Sequence, residues 1–112
     1  MRKEKPPVTP EDVEDAISDW EEALRWIAKG WDCHEEYDHD VYSRELLDIT
    51  LTEYGKKPLP PELTQRIDQA DQFFREITDE SDSCVADIRN SKELYLDRER
   101  YWYYYRWQRD AK

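Results

Sequence analysis

The residues best suited to bind a metal ion lie together in the segment CHEEYDHD, residues 33–40. Glu36 and His39 form a Glu-x-x-His pair, and on a helix this spacing places both side chains on one face. Carboxylate-bridged di-iron bundles use that pair twice, together with two further glutamates. Here the pair occurs once, and the only other histidine is His34. Because acids also favour the positive end of a helix dipole, we interpret the segment as a solvated helix start and predict no metal site.

A second pattern of carboxylates joins Glu11 and Glu14 to Glu35 and Asp38, with twenty residues between the two pairs. This spacing resembles that of the Mg²⁺-binding acids in all-α nucleoside triphosphate pyrophosphohydrolases, where four carboxylates would hold Mg²⁺ against a triphosphate. On a helical wheel, however, Glu11 lies nearly opposite the apolar stripe of its helix and Glu14 lies well away from it. We therefore interpret the pattern as accidental and keep this enzyme class as the alternative to a binding function.

Nucleophilic catalysis has less support than metal chemistry. Cys33 and His34 are adjacent, and neighbours on a helix do not face each other, so they do not form a natural Cys–His pair. The chain has two glycines, and both indicate the end of a helix instead of a phosphate-binding loop. We therefore predict that the protein is not an enzyme and carries no cofactor.

The charge of the chain indicates what kind of partner it would attract. Its 112 residues include 28 acids and 17 basic residues, a formal net charge of −11. Fourteen of the acids lie within residues 11–48 against three basic residues, whereas residues 98–112 hold five basic residues and two acids. Such an acidic surface repels phosphate and attracts basic surfaces. The sequence predicts a basic protein partner and disfavours nucleic acid.

The predicted function is that of a small acidic protein-binding module or inhibitor that occupies a basic surface of its partner. Immunity proteins, antitoxins and DNA mimics act in this way, an analogy of charge and size. Trp26 lies off the core stripe of its helix and would anchor the partner, because aromatic residues and Arg dominate interface hot spots. The predicted partner-binding residues are Glu14, Asp15, Glu22, Trp26, Asp38, Asp40, Tyr104 and Trp107.

The aromatic segment YWYYYRW, residues 101–107, allows three interpretations. On a helix its six aromatic residues would cover every side, which favours a helix end packed into the core. The second interpretation is a protein interface, to which Tyr104 and Trp107 would contribute contacts. The third is a stacking platform for single-stranded nucleic acid, which the net negative charge weakens.

Helices must position these residues. The first begins at the N-cap Thr9, with Pro10 at its first position, and ends at Gly30. The second runs roughly from Tyr37 to Tyr54 and carries two apolar stripes, so we expect it to lie between two neighbours. The stripe of the first helix consists of Val13, Ala16, Ile17, Trp20, Leu24 and Ile27. Those of the second are Tyr42, Leu46 and Ile49 on one side and Leu47, Leu51 and Tyr54 on the other.

The C-terminal half predicts a further, long helix. From Glu62 to Lys112 there is no Gly and no Pro, and an apolar seam with helical spacing runs along the stretch. We therefore predict an all-α fold, a bundle of three to four helices whose long C-terminal helix is straight or kinked near Ser81. A straight rod would need a second copy to cover it, which leaves a homodimer or a purely structural homo-oligomer as alternatives.

The remaining expectations concern domains and location. We expect a flexible tail at residues 1–8 and a single helical domain at residues 9–112. No apolar run approaches the length of a membrane span, and the start MRKEKPPVTP lacks the hydrophobic stretch of a signal peptide. We therefore expect a cytoplasmic protein that does not enter a membrane. In that compartment Cys33 and Cys84 would be reduced thiols.

Overall fold

The protein was analysed as a computed structural model, which describes residues 7–31, 33–82, 84–85, 95 and 97–108. Its elements in chain order are α1 (Pro10–Lys29), α2 (His34–Tyr54), α3 (Pro61–Ile77), β1 (Thr78–Glu80), a 3₁₀ helix (Trp102–Tyr105) and β2 (Arg106–Gln108). The described part is mostly helical, as predicted, with a small sheet that the sequence did not indicate. Of the predicted tail, residues 1–6 lie outside the described residues.

Helix α1 begins and ends where the sequence predicts. The Oγ1 of Thr9 accepts a hydrogen bond from the Asp12 N–H at 3.3 Å, and the Asp12 Oδ2 accepts one from the Thr9 N–H at 2.9 Å. This reciprocal pair is a capping box. Gly30 ends the helix with a φ of +90°, a conformation that residues with a side chain rarely adopt. All six residues of the predicted stripe are buried or half-buried, which confirms the core face of α1.

Helix α2 buries only one of its two predicted apolar stripes. It begins at His34, three residues before the predicted start, and packs mainly against α1. Leu47 and Tyr54 are buried and Leu51 is half-buried, so this stripe faces the core. The other stripe is exposed. The prediction that α2 lies between two neighbours is therefore wrong with respect to this second face, which consists of Tyr42, Leu46 and Ile49.

The long helix predicted from Glu62 onward ends early. Helix α3 stops at Ile77, and Thr78 adopts an extended conformation with φ −130° and ψ 163°. Residues Thr78–Glu80 form β1, which pairs antiparallel with β2. Thr78 lies opposite Gln108. The hydroxyl of Thr78 donates to the carbonyl of Phe74 at 2.6 Å, close to the end of the helix. The prediction of one continuous helix, kinked or straight, is therefore corrected at this point.

The composition of the segment after Ile77 explains this ending. In TDESDS, residues 78–83, every residue except Glu80 competes with the helical backbone for hydrogen bonds or loses side-chain freedom in a helix. Pairing with β2 supplies partners for the backbone groups of β1 that the helix no longer supplies. The prediction of a fourth helix after a bend near Ser81 falls largely on residues 83, 86–94 and 96, which lie outside the described residues.

A buried ion pair between Arg44 of α2 and Asp71 of α3 joins the helices. The Arg44 Nε donates to Asp71 Oδ1 at 2.8 Å and its Nη2 donates to Oδ2 at 3.0 Å, a bidentate arrangement. The indole N–H of Trp20, on α1, donates to the same Oδ1 at 3.0 Å. The guanidinium lies 5.8 Å from the ring centre of Trp102 and 5.4 Å from that of Tyr103. One carboxylate thus connects three helices and, through Arg44, the 3₁₀ helix.

The aromatic segment at residues 101–107 packs mainly into the core, which agrees with the first of the three interpretations. The Tyr104 hydroxyl donates to Glu45 Oε1 at 2.7 Å, and the Tyr103 hydroxyl donates to Asp48 Oδ2 at 3.3 Å. Burial, and next the Asp48 carboxylate, raise the pKa of Tyr103 above its ordinary value. The hydroxyl therefore stays a proton donor at neutral pH, and acids of α2 hold the segment in place.

Candidate functional site

A groove of about 220 Å³ lies between α1 and α2 and is called the α1–α2 groove below. The side chains from α1 follow the i, i+3, i+4, i+7 spacing of one helix face, and those from α2 lie within two turns of the facing helix. The lining residues are Asp19, Glu22, Ala23 and Trp26 from α1, with His39, Asp40, Ser43 and Leu46 from α2. The groove therefore combines acids with apolar side chains.

The apolar wall of the groove belongs to a larger exposed surface. Trp26 is 47% exposed and Leu46 is 43% exposed, although both are large apolar residues. Tyr42 and Ile49 lie one turn to either side of Leu46 on α2 and are 36% and 40% exposed. A contiguous exposed apolar patch with a polar rim is typical of a protein interaction site. We call the groove together with this stripe the groove face.

The side chain of Trp26 is held in place before any partner binds. Its ring stacks on that of Trp31, with centroids 5.8 Å apart and planes 23° from parallel. Trp31 is fixed in turn, because its indole N–H donates to Asp40 Oδ2 at 2.6 Å. The amide side chain of Gln108 accepts from the Trp31 backbone N–H at 2.9 Å and donates to its carbonyl at 2.7 Å. Such preorganisation lowers the entropy cost of binding.

The environment of Asp40 in the groove disfavours the ionised form of its side chain. Burial is the largest cause that raises the pKa of Asp40 above 3.8, and the nearby carboxylates of Glu36 and Glu22 add to it. The hydrogen bond from Trp31 and the proximity of His39 lower the pKa in part. The net effect is upward because burial outweighs the hydrogen bond from Trp31, so the ionised form of Asp40 is unfavourable in the folded protein.

Replacement of Asp40 by asparagine tests whether the ionised Asp40 carboxylate lowers the stability of the fold. Because the pKa of Asp40 is raised in the folded state, the folded protein binds the proton of the Asp40 carboxyl group more tightly than the unfolded chain does. The ionised carboxylate therefore costs stability, a cost that is absent below pH 3.8 and increases as pH rises through the folded pKa. Asparagine carries no charge, and its Oδ1 accepts the Trp31 hydrogen bond. We expect Asp40→Asn to unfold at higher urea concentration than the natural protein at pH 7.

The control for that prediction is Asp15→Asn, which removes one exposed negative charge of α1 outside the groove. Subtracting its effect removes the general benefit of a lower net charge. The increase in stability that is specific to Asp40→Asn should become smaller as the pH is lowered towards 3.8. A loss of stability at pH 7 would instead mean that the Trp31 hydrogen bond to an ionised carboxylate outweighs the burial of the charge.

The structure brings three predicted partner-binding residues together at the groove, namely Glu22, Trp26 and Asp40. Two others lie on α1 outside it. Glu14 is exposed and forms an ion pair with Arg66 of α3 at 3.2 Å, while Asp15 is exposed on the same helix.

The remaining three predicted residues do not belong to the groove face. Asp38 is 4% exposed, so this acid does not contribute to the acidic surface. Tyr104 is fully buried, with its hydroxyl on Glu45. Trp107 is half-buried in β2, where its ring stacks on Tyr37 with centroids 5.8 Å apart. Both aromatic side chains therefore pack within the fold.

Of the groove residues, sequence reasoning predicts Glu22, Trp26 and Asp40 as partner contacts, but it does not predict Asp19, His39 and Leu46. It places Leu46 in a stripe that a second neighbour of α2 would cover. The sequence signal for this surface is the pair of apolar stripes on α2. A helix with two such stripes needs two neighbours, and one stripe stays exposed where the second neighbour is absent.

The residues considered for metal binding are not gathered into one site. Among the described residues no group of three or more His, Cys, Asp and Glu side chains is arranged to hold a metal ion. Of the four acids in the magnesium-like spacing, Glu14 pairs with Arg66 and Asp38 is buried. Cys33 is exposed and Cys84 is buried in the core, and no disulfide joins them.

Comparison with protein-family models, curated proteins and solved structures finds no match to this chain. Within the described ranges, no helix has both the length and the apolar character needed to cross a membrane.

Proposed function

We propose that the protein is a small acidic helical module that binds a basic surface of a partner protein through the groove face. It would act as an inhibitor by occupying that surface, in the manner of immunity proteins, antitoxins and DNA mimics. We also propose that it does so in the cytoplasm, with its cysteines reduced. The observation that carries the proposal is the exposure of Trp26 and Leu46 within a rim of acids.

The groove face has the features of an interface centre. Trp is among the residues most enriched at hot spots, where a large side chain is desolvated by the partner. The exposed stripe on α2 supplies further apolar area beside it, with Tyr42 and Ile49 at its two ends. Asp19 and Glu22 form part of the rim, where charge mainly speeds association and selects the partner.

The charge of the chain favours a basic partner over a second copy. Two copies that met through the groove face would bring together acids of α1 and α2, within a protein of net charge −11. Like charges that face each other across an interface cost several kcal/mol. A basic partner would instead gain from the same charges, and nucleic acid, which is itself anionic, would not.

Capture at two salt concentrations tests the proposal. The tagged protein should retain a basic partner from a lysate of its source cells in about 50 mM salt and lose it in 1 M salt, where the Debye length falls to about 3 Å. Glu22→Lys should prevent capture at low salt, because it reverses a charge in the groove. Glu62→Lys, an equal reversal at an exposed position on α3, should leave capture intact. Equal loss with both variants would contradict the groove face as the binding surface.

A further inference from the structure

We propose that the α1–α2 groove is a socket for a single arginine side chain of the partner. This inference rests on the proposed function, and it names the chemical group that the groove recognises. An arginine combines an aliphatic stem with a planar cation, and such side chains bury the stem along apolar surface while the cation meets polar groups. The groove offers both kinds of surface within about 220 Å³.

The acids of the groove are available to a cation. Among the described residues, no basic side chain forms an ion pair with Asp19 or Glu22. The described partner of Asp40 is the indole N–H of Trp31, a neutral donor that leaves the charge of the carboxylate in place. Three carboxylates thus line a small groove, and His39 is the one basic side chain among its described lining residues. A guanidinium presents five N–H donors in a planar fork, which suits several carboxylates better than an ammonium does.

The apolar wall of the groove also suits a cation. The Nζ of Lys29 lies 4.6 Å from the ring centre of Trp26, so this ring already attracts a positive charge of the chain itself. A guanidinium is more weakly hydrated than an ammonium, so it loses less hydration on entering a partly apolar groove. Leu46 and Ala23 would contact the aliphatic stem. These features select arginine over lysine as the occupant.

The test uses two small molecules of similar shape, butylguanidinium and its neutral analogue butylurea. The five tryptophans give five indole N–H signals in an NMR spectrum of the full chain. Butylguanidinium should shift the signals of Trp26 and Trp31 in a saturable way, whereas butylurea should not. Glu22→Gln should weaken this binding about threefold, the scale of one exposed charge pair. Glu62→Gln should leave it unchanged.

Three results would overturn the socket. These are equal shifts with butylurea, equal shifts at all five tryptophans, and equal weakening by Glu22→Gln and Glu62→Gln. The last two would show that the cation associates with the acidic protein in general. If butylguanidinium fails but Glu22→Lys still prevents partner capture, only the arginine socket is wrong. If butylguanidinium binds in the groove but no partner depends on Glu22, the proposed function is wrong and the socket stands.

Discussion

Replacement of Asp71 by alanine is expected to lower the free energy of unfolding by about 3–5 kcal/mol. The substitution leaves the guanidinium of Arg44 buried without its carboxylate, and it also removes the acceptor of the Trp20 indole N–H. Both side chains of the ion pair are only 10% exposed, so water cannot replace the lost partner. Domains of this size are stable by about 5–15 kcal/mol, and the loss is therefore a large fraction of the whole.

Urea denaturation followed by circular dichroism measures this loss. The matched control is Asp68→Ala, at an exposed position one turn earlier on α3, which should change the free energy of unfolding by about 0.5 kcal/mol or less. The double variant Arg44→Met with Asp71→Leu should recover the part of the loss that comes from the unpaired guanidinium, because it removes both charges together. The Trp20 indole N–H still lacks its acceptor in this variant. An Asp71→Ala variant as stable as Asp68→Ala would show that the ion pair does not hold the helices together.

Local signals were sufficient to predict the first two helices. The start of α1 depends on Thr9, Pro10 and Asp12, which lie within four residues, and its end depends on Gly30. Its core stripe follows from the period of the helix itself. Each of these features is decided by residues close in sequence, so a single sequence contains the necessary information.

The C-terminal part was mispredicted because its structure depends on distant residues. Thr78 pairs with Gln108, thirty positions away, and the Arg106 side chain donates to the Thr78 hydroxyl at 2.8 Å and to its carbonyl at 2.9 Å. An apolar seam with helical spacing does not show such pairing. The seam stays in phase through Cys84 and therefore predicts a continuous helix, whereas most of residues 78–83 have low helix propensity. Here propensity was the better guide.

The candidate site was predicted in part for the same reason. Trp26 and Glu22 were found because their positions on the wheel of α1 place them outside the core stripe. Asp38 is buried, although the sequence predicts it as a surface contact. Its burial depends on which neighbouring element covers that side of α2, and the periodicity of α2 does not indicate this. Leu46 was missed because its exposure follows from the absence of a neighbour on one side of α2 in the described structure.

The double substitution Trp26→Ala with Glu22→Lys is expected to lower partner affinity about 100-fold. The loss of the Trp26 ring removes a large anchor from the centre of the groove face, where hot-spot truncations cost about 2 kcal/mol or more. The lysine adds a repulsive charge in the groove against a basic partner. Both side chains are exposed, so the fold should keep its helical content. The melting temperature of the variant checks that expectation.

The most direct test of the groove face compares this variant with a matched one on another helix. Phe73 of α3 is 40% exposed, so Phe73→Ala with Glu62→Lys removes an exposed aromatic ring and reverses an exposed charge elsewhere on the surface. The measurement is the equilibrium dissociation constant of the captured and purified partner for the natural protein and both double variants. We predict about 100-fold weaker binding for Trp26→Ala with Glu22→Lys and less than threefold for the matched variant. Equal affinities for the two variants, or stronger dependence on the α3 pair, would contradict the assignment of the groove face as the binding surface.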